Sequence, residues 1–107
     1  SSVALENSTI YFGSADGNLY ALNAENAREK WHFSIEKPIV AAPVVHGDYL
    51  YFGGTDGMLY CLDVKNGAEL WRFATKNAIT AAPYITDNYI FVGSMDQNLY
   101  ALPLVTA

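Results

Sequence analysis

An all-β fold built from small four-stranded antiparallel sheets is predicted by three observations. The chain of 107 residues repeats itself at a spacing of 40: Tyr20 with Tyr60 and Tyr100, Trp31 with Trp71, Pro43 with Pro83. Each repeat holds short runs rich in aromatic and β-branched residues, bounded by turn formers. No helical periodicity competes with these runs. A period of this size is the mark of a repeat architecture and precedes any other reading.

Taken in order, the repeats run 1–40, 41–80 and 81–107. The first strand of each is Val3-Ala4-Leu5, Ala41-Ala42-Pro43-Val44-Val45 and Ala81-Ala82-Pro83-Tyr84-Ile85. Polar turns follow at Glu6-Asn7-Ser8, His46-Gly47-Asp48 and Thr86-Asp87-Asn88. The second strands are Ile10–Gly13, Tyr49–Gly53 and Tyr89–Gly93. Next come Asp16-Gly17 and Asp56-Gly57, hairpin dipeptides in which glycine takes positive φ without a steric cost. The third repeat has Asp96-Gln97 there, so that turn must accept a side chain or change type. Third strands follow at Leu19–Leu22, Leu59–Leu62 and Leu99–Leu102. The second hairpin turn is Asn66-Gly67 in repeat 2 and Asn26-Ala27 in repeat 1. An alanine forced to positive φ there costs about 1 kcal/mol. Fourth strands close the repeats at Lys30–Phe33 and Leu70–Phe73.

Several strands are apolar at successive positions, which predicts burial on both faces. A four-stranded sheet covered on both faces and repeated every 40 residues is a β-propeller blade between neighbouring blades. Two blades are complete. The third is expected to lack its outer strand, because Pro103 replaces the aspartate of repeat 2 (Asp63) and no third Trp follows. Ala41-Ala42, Ala81-Ala82 and Ser1-Ser2 are expected to open the innermost strands along a crowded central axis.

With these residues in view, the pattern Gly-x-x-Asp-Gly-x-Leu-Tyr-x-Leu-Asp, then Gly-x-Glu-x-Trp-x-Phe, resembles the pyrroloquinoline-quinone-type (PQQ-like) propeller repeat. Repeat 2 carries it from Gly53 to Phe73; repeat 1 has Asn23 and Ala27 at two of its positions, and repeat 3 matches to Leu102. The resemblance implies that Trp31 and Trp71 dock each blade on the next. It also implies a bacterial protein in an extracytoplasmic compartment. Relatives without catalysis include the propeller lipoprotein of outer-membrane assembly and the sensor propellers of bacterial kinases.

Composition narrows the function. The net charge is −5 and the six basic residues form no run, so nucleic acid is not an expected partner. No apolar run approaches the roughly 20 residues that span a membrane. Ser1-Ser2-Val3-Ala4 has neither the basic region nor the apolar stretch of a signal peptide, and the chain does not open on Met, which leaves the compartment open.

No catalytic, cofactor or metal site is expected. Relatives that use the quinone hold it with calcium, carboxylates and often a vicinal disulfide, and Cys61 is the one cysteine of this chain. Asp16, Asp56 and Asp96 read as one turn residue per blade, whereas calcium needs six to eight converging oxygens. His32 and His46 lack a partner at zinc spacing and read as polar surface positions. Cys61 stands where the other repeats have Ala21 and Ala101, so it reads as a small buried residue. The expected function is a non-catalytic interaction, scaffold or sensor module that binds protein or itself through open blade edges. The alternative is a fragment of a quinone-dependent dehydrogenase whose catalytic residues lie outside this chain.

Overall fold

The computed structural model describes residues 3–104. It is all β, with three antiparallel sheets stacked side by side. The first sheet holds β1 (Val3–Glu6), β2 (Thr9–Gly13), β3 (Asn18–Asn23) and β4 (Glu29–Ser34) in sequence order. The second repeats it with β5 (Val44–His46), β6 (Tyr49–Gly53), β7 (Met58–Asp63) and β8 (Glu69–Ala74). The third has β9 (Tyr84–Ile85), β10 (Tyr89–Gly93) and β11 (Leu99–Pro103), and no fourth strand among the described residues. These are blades of a β-propeller.

Register follows the repeat. Gly13 pairs with Leu19, Gly53 with Leu59 and Gly93 with Leu99. A register shift on the outer pair, between Ala21 and Leu22 and again between Cys61 and Leu62, brings Trp31 opposite Ala21 and Trp71 opposite Cys61. Such bulges re-aim the side chains beside them.

Two expectations are corrected. Ala41-Ala42 and Ala81-Ala82 do not open strands: β5 begins at Val44 and β9 at Tyr84, each just after a proline that lacks the N–H a ladder needs. Ser1-Ser2 lie outside the described residues. His46 ends strand β5, paired with Tyr49, rather than sitting in the turn.

Burial on both faces belongs to the middle blade alone. In β6 and β7 every residue but the terminal ones Tyr49, Met58 and Asp63 is buried. In β2 burial alternates, and in β10 only Ile90 and Val92 are buried. The sequences are nearly the same, so the difference comes from neighbours: only the second blade is sandwiched.

Each interblade linker is held from both sides. Ile39 N–H donates to Ser14 O at 3.1 Å behind it, while Pro38 O accepts Thr55 N–H at 3.3 Å and Thr55 Oγ1–H at 2.6 Å ahead of it. The next linker repeats this: Ile79 N–H donates to Gly54 O at 3.0 Å, and Ala78 O accepts Met95 N–H at 2.8 Å. The isoleucine side chains are buried in the two hydrophobic clusters that lie between successive blades.

Candidate functional site

The recurring polar residues sit in the turns that join the second and third strands. In the first blade Gly17 N–H donates to Ser14 O at 3.1 Å, with Gly17 at φ +91°. Gly57 repeats this bond to Gly54 O at 3.1 Å, with φ +87°. The third blade forms the same turn with Gln97 at φ +74°, so a side chain occupies the left-handed position. In the other turn Gly67 lies at φ +74° and Ala27 at φ +61°. Asn66 Oδ1 accepts Ala68 N–H at 2.9 Å, as Asn26 Oδ1 accepts Arg28 N–H.

Asp16, Asp56 and Asp96 each spend both carboxylate oxygens inside their own blade. One oxygen accepts the N–H two residues on, at 2.9 Å for Asn18, 3.0 Å for Met58 and 2.9 Å for Asn98. The other accepts the hydroxyl of the tyrosine four residues on: Tyr20 to Asp16 at 2.7 Å, Tyr60 to Asp56 and Tyr100 to Asp96. Asp96 additionally takes Lys76 N–H from the second blade at 3.1 Å. At Asp16 and Asp96 these bonds favour the ionised carboxylate. The tyrosine hydroxyl is the first cause, and it holds Asp16 and Asp96 below the usual aspartate range. Burial, then Asp56, drives the Tyr60 phenol upward.

The Tyr60 and Tyr100 rings are interblade packing surfaces, while Tyr20 meets Phe12 and His32 of its own blade. Phe52 stacks on Tyr60 at 4.9 Å, and Phe33 from the first blade meets Tyr60 edge-on at 5.5 Å. Phe73 meets Tyr100 in the same way at 5.5 Å. Sequence reasoning missed the Asp–Tyr bond. Its signal was the Asp-x-x-x-Tyr spacing that recurs in all three repeats. His32 accompanies this network, with Nδ1 2.8 Å from Glu29 Oε2. In the second blade Arg72 takes its place, pairing with Glu69 and lying 5.1 Å over the Tyr60 ring.

Trp31 makes the blade-to-blade contact. Its Nε1–H donates to Val64 O at 3.1 Å, and its ring lies flush on Gly67, where an added Cβ would come within 2.4 Å of Cε3. Trp31 is 8% exposed. Trp71 packs on Tyr51 at 6.0 Å as Trp31 packs on Tyr11 at 5.9 Å, yet it is 37% exposed. Cys61 is buried against Tyr51, and burial pushes its thiol up to about 11.

Among the described residues no three His, Cys, Asp or Glu side chains gather to hold a metal. Nor is any described helix long and apolar enough to cross a membrane. Large apolar side chains do lie open on the two outer blades: Val3 and Leu5 on the first, Tyr84, Met95 and Leu99 on the third.

Comparison with known proteins agrees with this geometry. The crystal structure of BamB from Moraxella catarrhalis superposes with a TM-score of 0.83 at 24% identity, over 95% of this chain and 33% of that one. The computationally designed proteins Ika4 and Ika8 superpose with TM-scores of 0.84 and 0.83, each at 16% identity. They are covered over 64% and 32% of their lengths, by 96% and 95% of this chain. At these identities the likeness shows the fold, and the chain spans about a third of the BamB chain. A search of curated proteins finds no match. The family model described as outer membrane protein assembly factor BamB matches residues 1–52 and 15–106. With nearly its whole length matched, the chain belongs to the BamB-like family of PQQ-type propellers.

Proposed function

We propose that this chain is a non-catalytic protein-interaction module: part of a PQQ-like propeller, with blades 1–40, 41–80 and 81–107, serving as a scaffold or sensor. One observation carries the reading. The carboxylates that recur with the repeat are consumed by turn and tyrosine hydrogen bonds, while large apolar side chains, Val3 and Leu5 on the first blade and Tyr84, Met95 and Leu99 on the third, are left open on the outer blades. Large apolar side chains open to solvent at the ends of the stack favour a protein-contact role. In this reading Trp31 and Trp71 are docking residues, and Asp16, Gly17, Asp56, Gly57, Asn66 and Gly67 shape turns. The family's name, an assembly factor for outer membrane proteins, supports a protein partner and an extracytoplasmic compartment.

Two measurements test it. The purified chain is expected to show no quinone absorbance and no dye-linked alcohol oxidation; a bound quinone with turnover would establish the dehydrogenase reading instead. Light scattering is expected to show self-association through the open blades or association with an added protein partner. A stable monomer at high concentration that binds no protein contradicts the proposal.

A further inference from the structure

The turn at Asn66-Gly67 has a chemistry at odds with its packing. Asn66 is the one asparagine of the chain followed by glycine. A following glycine has no Cβ to hold its backbone nitrogen away from the asparagine side chain. That nitrogen, once deprotonated, can attack Cγ, expel the side-chain amide as ammonia and close a succinimide ring. Water then opens the ring at either carbonyl, giving aspartate or isoaspartate, whose main chain is one methylene longer. No oxidant, reductant or enzyme enters. The first blade nonetheless demands this glycine, because a Cβ at Gly67 would lie 2.4 Å from Trp31 Cε3. The contact that shuts out other residues therefore installs the labile dipeptide.

The closed seam withholds both reacting groups. Gly67 N–H donates to Asp63 O at 2.8 Å, so the nitrogen keeps its proton. Asn66 Oδ1 accepts Ala68 N–H at 2.9 Å, which fixes the carboxamide. The indole clamps the turn at two points, through Nε1–H to Val64 O at 3.1 Å and through its face on Gly67. Asn66 is exposed and Gly67 is buried, so water reaches the side chain while the attacking nitrogen lies beneath the ring. The first blade has the same turn without that cover. There Ala27 N–H donates to Asn23 O at 2.8 Å and Asn26 Oδ1 accepts Arg28 N–H at 2.9 Å, yet Ala27 is exposed.

We infer that Asn66 is a modification site gated by the seam between the first and second blades, with water as its co-reactant. Conversion requires Trp31 to lift and the bond from Gly67 to Asp63 to open. Its rate is that of the open chain scaled by the fraction of time the seam is open. The longer main chain of the isoaspartate product cannot keep Gly67 both bonded to Asp63 O and flush with the indole. Each such conversion records an opening and makes it permanent. The aspartate product retains an acceptor for Ala68 N–H and so retains the turn. The inference goes beyond the interaction module and holds whatever the blades bind.

The test uses the whole chain and its Ala27→Gly variant, which sets a second asparagine–glycine pair in the same turn of the same molecule. Both are held at neutral pH, in buffer and in urea, and peptide mass mapping follows each asparagine. The rate of each site in urea divided by its rate in buffer is its protection, which removes the effect of flanking residues. In the variant, Asn66 is expected to be protected at least about tenfold more than Asn26. Global unfolding exposes both sites alike and cannot produce that difference. Equal protection would assign the effect to the hydrogen bonds of the turn and overturn the seam as gate. Conversion of Asn66 as fast in buffer as in urea would overturn any gate. The isoaspartate form is then separated by ion exchange. It is expected to show a lower urea midpoint and a displaced Trp31 indole N–H resonance, with neither change in Asn66→Asp. An isoaspartate form matching the unmodified chain in both would overturn the permanent opening.

Discussion

Replacing Gly67 with alanine isolates the contact between the first and second blades. At ideal geometry the new Cβ would lie 2.4 Å from Trp31 Cε3 and 2.6 Å from Cδ2, distances no real methyl tolerates. The backbone there has φ +74°, which costs an L-alanine about 1–2 kcal/mol. Forcing the indole off its seat adds an overpacking cost of about 1–3 kcal/mol. The two together come to about 3 kcal/mol, before any weakening of the bond from Trp31 Nε1–H to Val64 O. For a chain of this size that lowers Tm by about 12 °C or more. Urea unfolding followed by tryptophan fluorescence reads the loss, and the Trp31 indole N–H resonance reads the displacement. Ala27 is the internal control. It already sits at φ +61°, so Ala27→Gly relieves strain and is expected to be neutral or stabilising by about 1 kcal/mol at most. A Gly67→Ala chain that loses less than about 1 kcal/mol, with the Trp31 resonance unmoved, would refute the steric reasoning.

Other outcomes follow from the same geometry. Cys61, buried with its thiol pushed up to about 11, is expected to resist thiol reagents at pH 8 and to react promptly in urea; rapid native labelling would contradict its burial. Because Asp16 and Asp96 are held below the usual carboxylate value, their stabilisation is complete above about pH 4 and is lost as pH falls through their lowered values. Asp96→Asn should therefore flatten the fall of the urea midpoint between about pH 4 and pH 2, and an unchanged slope would remove Asp96 from the account. Tyr60→Phe keeps the stack on Phe52 but strips the bond to Asp56, for an expected loss of about 1 kcal/mol in urea unfolding; a loss above about 3 kcal/mol would mean that the ring packing had changed.

The propeller was legible because the repeat compares the chain with itself. Three strand runs and two Asp-Gly turns in register leave few architectures open, and the family match agrees with the reading. What stayed illegible depends on neighbours. The runs Ile10-Tyr11-Phe12-Gly13 and Tyr49-Leu50-Tyr51-Phe52-Gly53 read alike, yet only the second is almost wholly buried, because only it lies between two blades. The small residues before each proline looked like the start of a strand, but a proline without an N–H delays the ladder to Val44 and Tyr84. The Asp16–Tyr20 bond escaped notice because a spacing of four is usually read as a helical rule, and here it runs from a turn into a strand. Gly93 is indistinguishable from Gly13 and Gly53 in sequence, yet among the described residues only the last two lie against an isoleucine.

The two-sided grip on the linkers decides how the stack comes apart. Ile39 is fastened to the blade behind it and Pro38 to the blade ahead, so no blade can be pulled away as a self-contained bead. Under tension along the chain, the second blade must first draw an isoleucine out of the first blade's strand end and break bonds on both sides of the linker. Mechanical resistance is thus concentrated at the seams, and the pieces that separate carry part of their neighbour's core with them.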